Sequence, residues 1–321
     1  MTRVQDVYPD NRVSLREVGL RDGLQIHPTF MPTESKIAWI EAEAAAGVRE
    51  IEVTSYVPPK LIPQFVDAEE VTRRALAIPG LTVTALIPNS KGAERGLALG
   101  VHKLNFVMSV SKTHNLKNVR REREESVADF RRIVELVRAQ PESRRPRIVG
   151  GLSTALGCSF EGRIPVADVV KYALLLAEAG ADELVVADTV GYADPAQVRA
   201  VFRAVMAAVG KLPVAAHFHD TRGTGLANVG AALDCGVRSF DASLAGLGGC
   251  PFAPGATGNI VMDDLCFMLD SMGLTTGVDL ERLLRVRDIV RAALPDIEMH
   301  GALARAGLPR NYLRAEERRA A

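Results

Sequence analysis

Cysteine is scarce in this sequence. Cys158, Cys235, Cys250 and Cys266 are the whole complement of 321 residues, and no two of them form a Cys-x-x-Cys pair. That excludes a disulfide framework and leaves the cysteines as thiols. A surplus of one charge is missing too. Lys plus Arg number 39 and Asp plus Glu number 39, for a formal net charge of zero, whereas a nucleic-acid binder carries basic excess to neutralise phosphates. No apolar run approaches the ~20 residues that cross a bilayer, which excludes a membrane span. The opening Met1-Thr2-Arg3-Val4-Gln5-Asp6 lacks a charged-then-apolar leader pattern, so the expected location is the cytoplasm. A glycine-rich phosphate cradle after the first strand is also absent, the chain there reading Arg21-Asp22-Gly23-Leu24-Gln25, which counts against a dinucleotide-binding sheet.

What is present is a regular alternation. Short apolar runs predict strands at Val13–Val18, Glu50–Ser55, Leu81–Ile87, Lys103–Val110, Arg147–Thr154, Glu183–Asp188, Val214–His219 and Arg238–Ser243. Between them lie helical patterns such as Glu34–Ala46, Arg121–Arg138, Val166–Ala179 and Pro195–Val209, several closing on a glycine (Gly47, Gly100, Gly180, Gly236) that suits the left-handed C′ position. Strand–helix alternation implies parallel pairing by right-handed crossovers, and eight units imply closure into an α/β (β/α)₈ barrel. An open sheet is the alternative. Residues 1–275 are expected to form the barrel. Residues 276–321 are expected to form a cap, with a helix at Asp279–Ala293 and a charged tail that frays. Self-association into a homodimer or larger homo-oligomer is left open.

In such a barrel the active site lies at the C-terminal ends of the strands. His217 and His219, two apart on a predicted strand, point to one face, and at the barrel mouth two imidazoles can reach one cation. The bland alternative is a histidine pair satisfied by neighbouring carbonyls. Strand one is a near neighbour, so Asp22 can face both rings, and Asn259 can add an amide oxygen. Two nitrogens, one carboxylate and one amide oxygen suit Mg²⁺ or Mn²⁺, with Zn²⁺ or Co²⁺ as further possibilities. Arg21 offers a fixed fork of donors to developing negative charge. Glu17 and Glu52 are expected to orient Arg21 and the ligands. Gln25, Ser55, Asp188 and Thr189 share these strand ends as candidate substrate contacts or supports. The stretch Gly246–Asn259 carries five glycines and two prolines, is longer than an ordinary connection of ~6 residues, and is expected to act as a lid. A chemical role is expected for its one reactive side chain, Cys250.

These residues resemble a known family. The runs Val18-Gly19-Leu20-Arg21-Asp22-Gly23-Leu24-Gln25, Thr54-Ser55-Tyr56-Val57-Pro58-Pro59-Lys60, Ala155-Leu156-Gly157-Cys158, Asp188-Thr189-Val190-Gly191, His217-Phe218-His219-Asp220-Thr221 and Gly248-Gly249-Cys250-Pro251 with Gly258-Asn259 are similar to the 3-hydroxy-3-methylglutaryl-CoA (HMG-CoA) lyases. The resemblance spans about Val13 to Val278. Arg-Asp-Gly with His-x-His marks a wider group of metal-dependent lyases and condensing enzymes; the cysteine loop is specific to the lyase branch. The resemblance implies a TIM barrel holding a divalent cation through Asp22, His217, His219 and Asn259. It further implies Arg21 on the enolate, Cys250 acting from the lid and an acyl-CoA substrate; which of Cys250, Asp22 and His217 moves each proton is left open. Leu61, Arg222, Asp263 and the run Lys112 to Val119 depart from the family pattern, and Lys112, His114, Lys117 and Arg222 are expected near the pocket. The function implied is retro-Claisen cleavage of HMG-CoA to acetyl-CoA and acetoacetate. The alternatives are a related hydroxyacyl-CoA such as citramalyl-CoA, a condensing acyltransferase, and a barrel that binds CoA without catalysis.

Overall fold

The computed structural model describes residues 11–249 and 258–320. Eight parallel strands close in chain order: β1 (Ser14–Glu17), β2 (Glu50–Ser55), β3 (Thr82–Ile87), β4 (Lys103–Ser109), β5 (Arg147–Ser153), β6 (Glu183–Asp188), β7 (Val214–Phe218) and β8 (Ser239–Ala242). The barrel closes where β1 pairs with β8, Arg16 standing opposite Asp241, while its other edge places Arg16 opposite Glu50. The molecule is thus an α/β TIM barrel, as its alternating pattern predicts.

The helices follow from local chemistry. Asp194 caps the helix Pro195–Val209 by accepting from the amides of Ala196 and Gln197, with Pro195 supplying a preset first-turn φ. Glu122 and Glu125 form a capping box on Arg123–Arg138. Gly47, Gly100, Gly180 and Gly236 all take positive φ just past a helix. At Gly47 space matters as well, because a Cβ would run into the carbonyl oxygen of Gly277.

The main core fills the ring between strands and helices. Phe106 meets Phe130 at 5.2 Å and Phe202 meets Phe218 at 6.0 Å between ring centroids. Inside the barrel the apolar contribution is a small separate cluster of Val149, Val185 and Ala215. Much of the rest of the interior is polar and charged, unlike the branched aliphatic layers common to the fold.

Three segments differ from the sequence expectation. After β1 the chain winds into a five-residue π turn, Gly19–Gly23, in which Asp22 N donates to Val18 O at 2.6 Å. The charged run after β4 is a helix, Lys112–Val119, capped by Ser111 Oγ on His114 N. The tail expected to fray is helical over Ala315–Ala320, and Arg318 donates to the carbonyl of Asp270 while Tyr312 Oη donates to its carboxylate. Among the described residues, no helix is long and apolar enough to cross a membrane.

Candidate active site

The π turn after β1 carries Arg21 and Asp22 to the barrel mouth together. Facing them, β7 supplies His217, and His219 follows one residue beyond the strand. Asp22, His217 and His219 each offer one ligand atom, all within 4.8 Å of one another, and all three residues are buried. His217 Nε2 lies 3.1 Å from His219 Nε2, and Asp22 Oδ2 lies 3.3 Å from His219 Nε2 and 4.0 Å from His217 Nε2.

Asn259 completes the group. It pairs with His219 in an isolated antiparallel bridge, and its Nδ2 donates to Asp22 Oδ2 at 2.7 Å and to Leu247 O at 3.0 Å. The amide thus turns its nitrogen, not its oxygen, toward the carboxylate. Its neighbour Gly258 packs so closely on Gly246 that a Cβ would strike the Gly246 carbonyl, so the two ends of the loop pass each other only through glycine. Cys250 and residues 251–257 lie outside the described residues.

Arg21 is clamped from two sides. Its Nη1 meets Asp22 Oδ1 at 2.6 Å and its Nε donates to Glu52, whose other oxygen accepts from Asn105 Nδ2 at 2.7 Å. Burial opposes ionisation of Asp22, but the Arg21 guanidinium and the His219 and His217 rings outweigh it and hold the carboxyl far below the usual range.

Glu17 does not touch Arg21, contrary to expectation. It shares the outward parity of Leu15, and its carboxylate accepts from Gly19 N at 2.5 Å and from Leu244 N at 2.9 Å. It therefore orients the backbone of the π turn, not the guanidinium. Gln25 and Thr189 line the cavity above Asp22. Ser55 and Asp188 turn away from it, Ser55 accepting from Val57 N and Asp188 from Tyr192 N and Ala193 N, so each shapes the loop after its strand.

The cavity has a volume of 380 Å³ and reaches from Asp22, His217 and His219 out to Asn118, Arg120 and Arg121. His114 lines it, with Nδ1 2.7 Å from Ser109 Oγ, and burial pushes the ring down to about 4. Lys112, Lys117 and Arg222 do not line it. Lys112 pairs with Glu122 at 3.6 Å, Lys117 sits over the Phe160 ring, and Arg222 donates to the carbonyls of Val190 and Gly191.

Beneath the site runs an ionic network that the sequence reading missed. Arg16 joins Asp241 and Glu50, and Lys103 bridges Glu50 and Glu183 at 2.8 and 3.0 Å. Asp241 also meets His217 Nδ1 at 3.1 Å. Three basic side chains, Arg16, Arg21 and Lys103, stand among five acidic ones, Asp22, Glu50, Glu52, Glu183 and Asp241. A divalent cation would suit that surplus of acids. Further, His219 Nδ1 and Asn259 Oδ1 are buried without a hydrogen-bond partner among the described residues. Charge, donor set and an orphaned amide oxygen all fit a hard or borderline cation here.

The HMGL-like family model matches residues 12–290. The chain belongs to the HMG-CoA lyase family. A hydroxymethylglutaryl-CoA lyase of Bacillus subtilis is 42% identical over 277 residues, which is 86% of this chain and 91% of that protein. The mitochondrial hydroxymethylglutaryl-CoA lyase of Homo sapiens is 38% identical over 283 residues, 88% of this chain and 86% of its own. Among solved structures, an HMG-CoA lyase from Acinetobacter baumannii in complex with coenzyme A and 3-methylmalate superposes with a TM-score of 0.88 at 39% identity, over 94% of this chain and 97% of that one. The lyase-family match thus takes in β1 to β8 and every described residue of the site.

Proposed function

We propose that this lyase cleaves HMG-CoA to acetyl-CoA and acetoacetate, with a divalent cation held by Asp22, His217, His219 and Asn259. The observation that carries the reading is the gathering of Asp22, His217 and His219 with Arg21 on one 380 Å³ cavity, with Asn259 hydrogen-bonded to Asp22. The presence of coenzyme A and 3-methylmalate in the Acinetobacter baumannii relative supports the thioester of a hydroxy diacid as the substrate class.

In this reading Mg²⁺ or Mn²⁺, when bound, supplies Lewis-acid polarisation that lowers the pKa of a neighbouring hydroxyl. The protein does the rest. A base takes the proton of the tertiary alcohol, the carbon–carbon bond breaks, and its electron pair passes into the thioester enolate, which then gains a proton at carbon. Arg21, fixed by Glu52 and Asp22, directs its remaining N–H donors into the cavity at the oxygen where that charge develops. Asp22 is a poor base because its neighbours hold it ionised, which suits a ligand better than a proton acceptor. With His217 taken up as a ligand, proton transfer falls to Cys250, which the family resemblance brings in from the loop. We read residues 1–275 as the lyase barrel of a cytoplasmic enzyme and 276–321 as its cap, which packs through Asp279 N on Ala46 O at 2.7 Å.

The experiment is product analysis on purified protein given HMG-CoA, before and after chelation and after return of Mg²⁺ or Mn²⁺. Equal amounts of acetyl-CoA and acetoacetate, lost with the metal and restored by it, are expected. Full activity in excess chelator would refute the metal-dependent reading.

A further inference from the structure

The reaction above uses only the outer face of His217. Its inner face belongs to a buried relay. Nδ1 lies 3.1 Å from Asp241 Oδ2, while Asp241 Oδ1 receives Arg16 Nε at 2.8 Å and lies 2.7 Å from Arg16 Nη2. Arg16 and Asp241 are each 2% exposed. Arg16 is held from its far side by Glu50 at 3.2 Å and Glu183 at 3.6 Å. The strand register brings this about, since Arg16 and Asp241 are direct partners across the β1–β8 seam and His217 stands opposite Asp241 across β7–β8.

A carboxylate paired with a guanidinium is an acceptor only, so the hydrogen between Asp241 and His217 belongs to Nδ1. A neutral imidazole has one N–H. With that hydrogen on Nδ1, Nε2 is left as a bare lone pair, and Nε2 is the atom that faces His219 and Asp22. Had the hydrogen been on Nε2, it would point at the place where the three ligand atoms meet.

We infer that Asp241 and Arg16 are positioning residues that lock His217 in the Nδ1–H tautomer and so preset its Nε2 as a metal ligand. The inference rests on the cation site of the proposed function but not on the identity of the acyl group. The competing view is that Arg16–Asp241 only staples β1 to β8. A staple would affect stability; it would leave the ring's tautomer and the metal affinity alone.

The test begins with the unmodified protein. ¹⁵N-histidine NMR of the metal-free enzyme, with the His217 signals assigned by their loss in His217→Gln, should show a protonated Nδ1 and a bare Nε2. The opposite tautomer would overturn the inference outright. Asp241→Asn can donate to Nδ1 and should move the hydrogen to Nε2. Its Mn²⁺ affinity, read by electron paramagnetic resonance titration, should weaken ~10–100-fold, the usual cost of losing a partner behind a metal ligand. An Asp241→Asn protein that keeps the wild-type tautomer, or Mn²⁺ affinity within threefold of wild type, would return the pair to a structural role. Should that variant not fold, Arg16→Lys retains the charge but loses the two-point fork on Asp241. It should weaken Mn²⁺ binding, and unchanged binding there would also count against the inference. A protein with the expected tautomer and Mn²⁺ affinity that fails to cleave HMG-CoA would sink the proposed reaction and leave this inference standing.

Discussion

Arg21 Nη1 and Asp22 Oδ1 lie 2.6 Å apart, an ion pair between neighbours in the chain. A π turn makes this possible by directing both side chains into the barrel mouth. Replacing Arg21 by lysine keeps the charge and discards the planar fork that Glu52 and Asp22 hold. For Arg21→Lys, kcat should fall ~10²-fold or more, as for loss of an oxyanion donor. KM should change much less, because ground-state binding does not depend on that fork. Steady-state kinetics with HMG-CoA decide it; an unchanged kcat would remove Arg21 from the chemistry.

Metal binding should be visible without any substrate. A cation that binds only the folded chain adds about 2.7 kcal/mol at a hundred times its Kd. The melting temperature should therefore rise by several degrees with Mn²⁺ and return on chelation. His219→Ala, which removes one of the three converging ligand atoms, should abolish the rise. A shift of equal size in that variant would place the cation elsewhere.

Arg120 lines the cavity at φ +56°, an uncommon backbone state for a side chain of this size, and has no ion pair among the described residues. It is positioned for an anionic group of the substrate. Arg120→Ala should raise KM ~10-fold, equivalent to ~1.4 kcal/mol, with kcat nearly unchanged. Comparing HMG-CoA with citramalyl-CoA on one preparation then fixes the acid. A preference well above ~200-fold for HMG-CoA exceeds what one methylene supplies and would dismiss citramalyl-CoA.

The carboxyls of Glu17 and Glu43 are both fully buried beside the π turn. Burial pushes Glu17 up to about 8, and burial together with the neighbouring Glu17 raises Glu43 well above its usual range. Between the unfolded carboxyl value near 4.5 and about 8, the folded protein keeps a proton that the unfolded chain has released. Stability must then fall as pH rises through that window and level off above it. The melting temperature should drop between pH 6 and pH 9. Glu43→Gln, with one ionisable group fewer in the pair, should drop by less; an equal drop would show that the pair does not share this load.

The strands were legible in the sequence because apolar runs bounded by glycine recur at regular intervals; β2 and β6 match their predicted limits. His217, His219 and Asp22 were legible for a different reason, since chain parity and strand order alone bring them to one rim. The interior network was not. Glu50, Lys103 and Glu183 stand at strand starts, where charges read as boundaries, and Arg16 and Asp241 lie inside four-residue strands too short to show a pattern. Only the register across the barrel shows that they face one another. Glu17 could have been placed correctly from alternation, because it shares the parity of Leu15 and opposes that of Arg16. The π turn leaves no signature in composition, being fixed by Val18 accepting from Asp22 and Gly23 and by Glu17 gripping Gly19.

Asp22 and Asn259 touch across a sequence separation of 237 residues. At ribosomal speeds of about 5–20 residues per second, the amide emerges on the order of 12–50 s after the carboxylate. For most of that interval the nascent chain presents Asp22 without either imidazole, since both rings are encoded on β7 and just past it. Contacts of such span are also the slowest to form in a free chain. A cation held by Asp22 and Asn259 together would therefore report that the chain following the first strand has met the chain following the last.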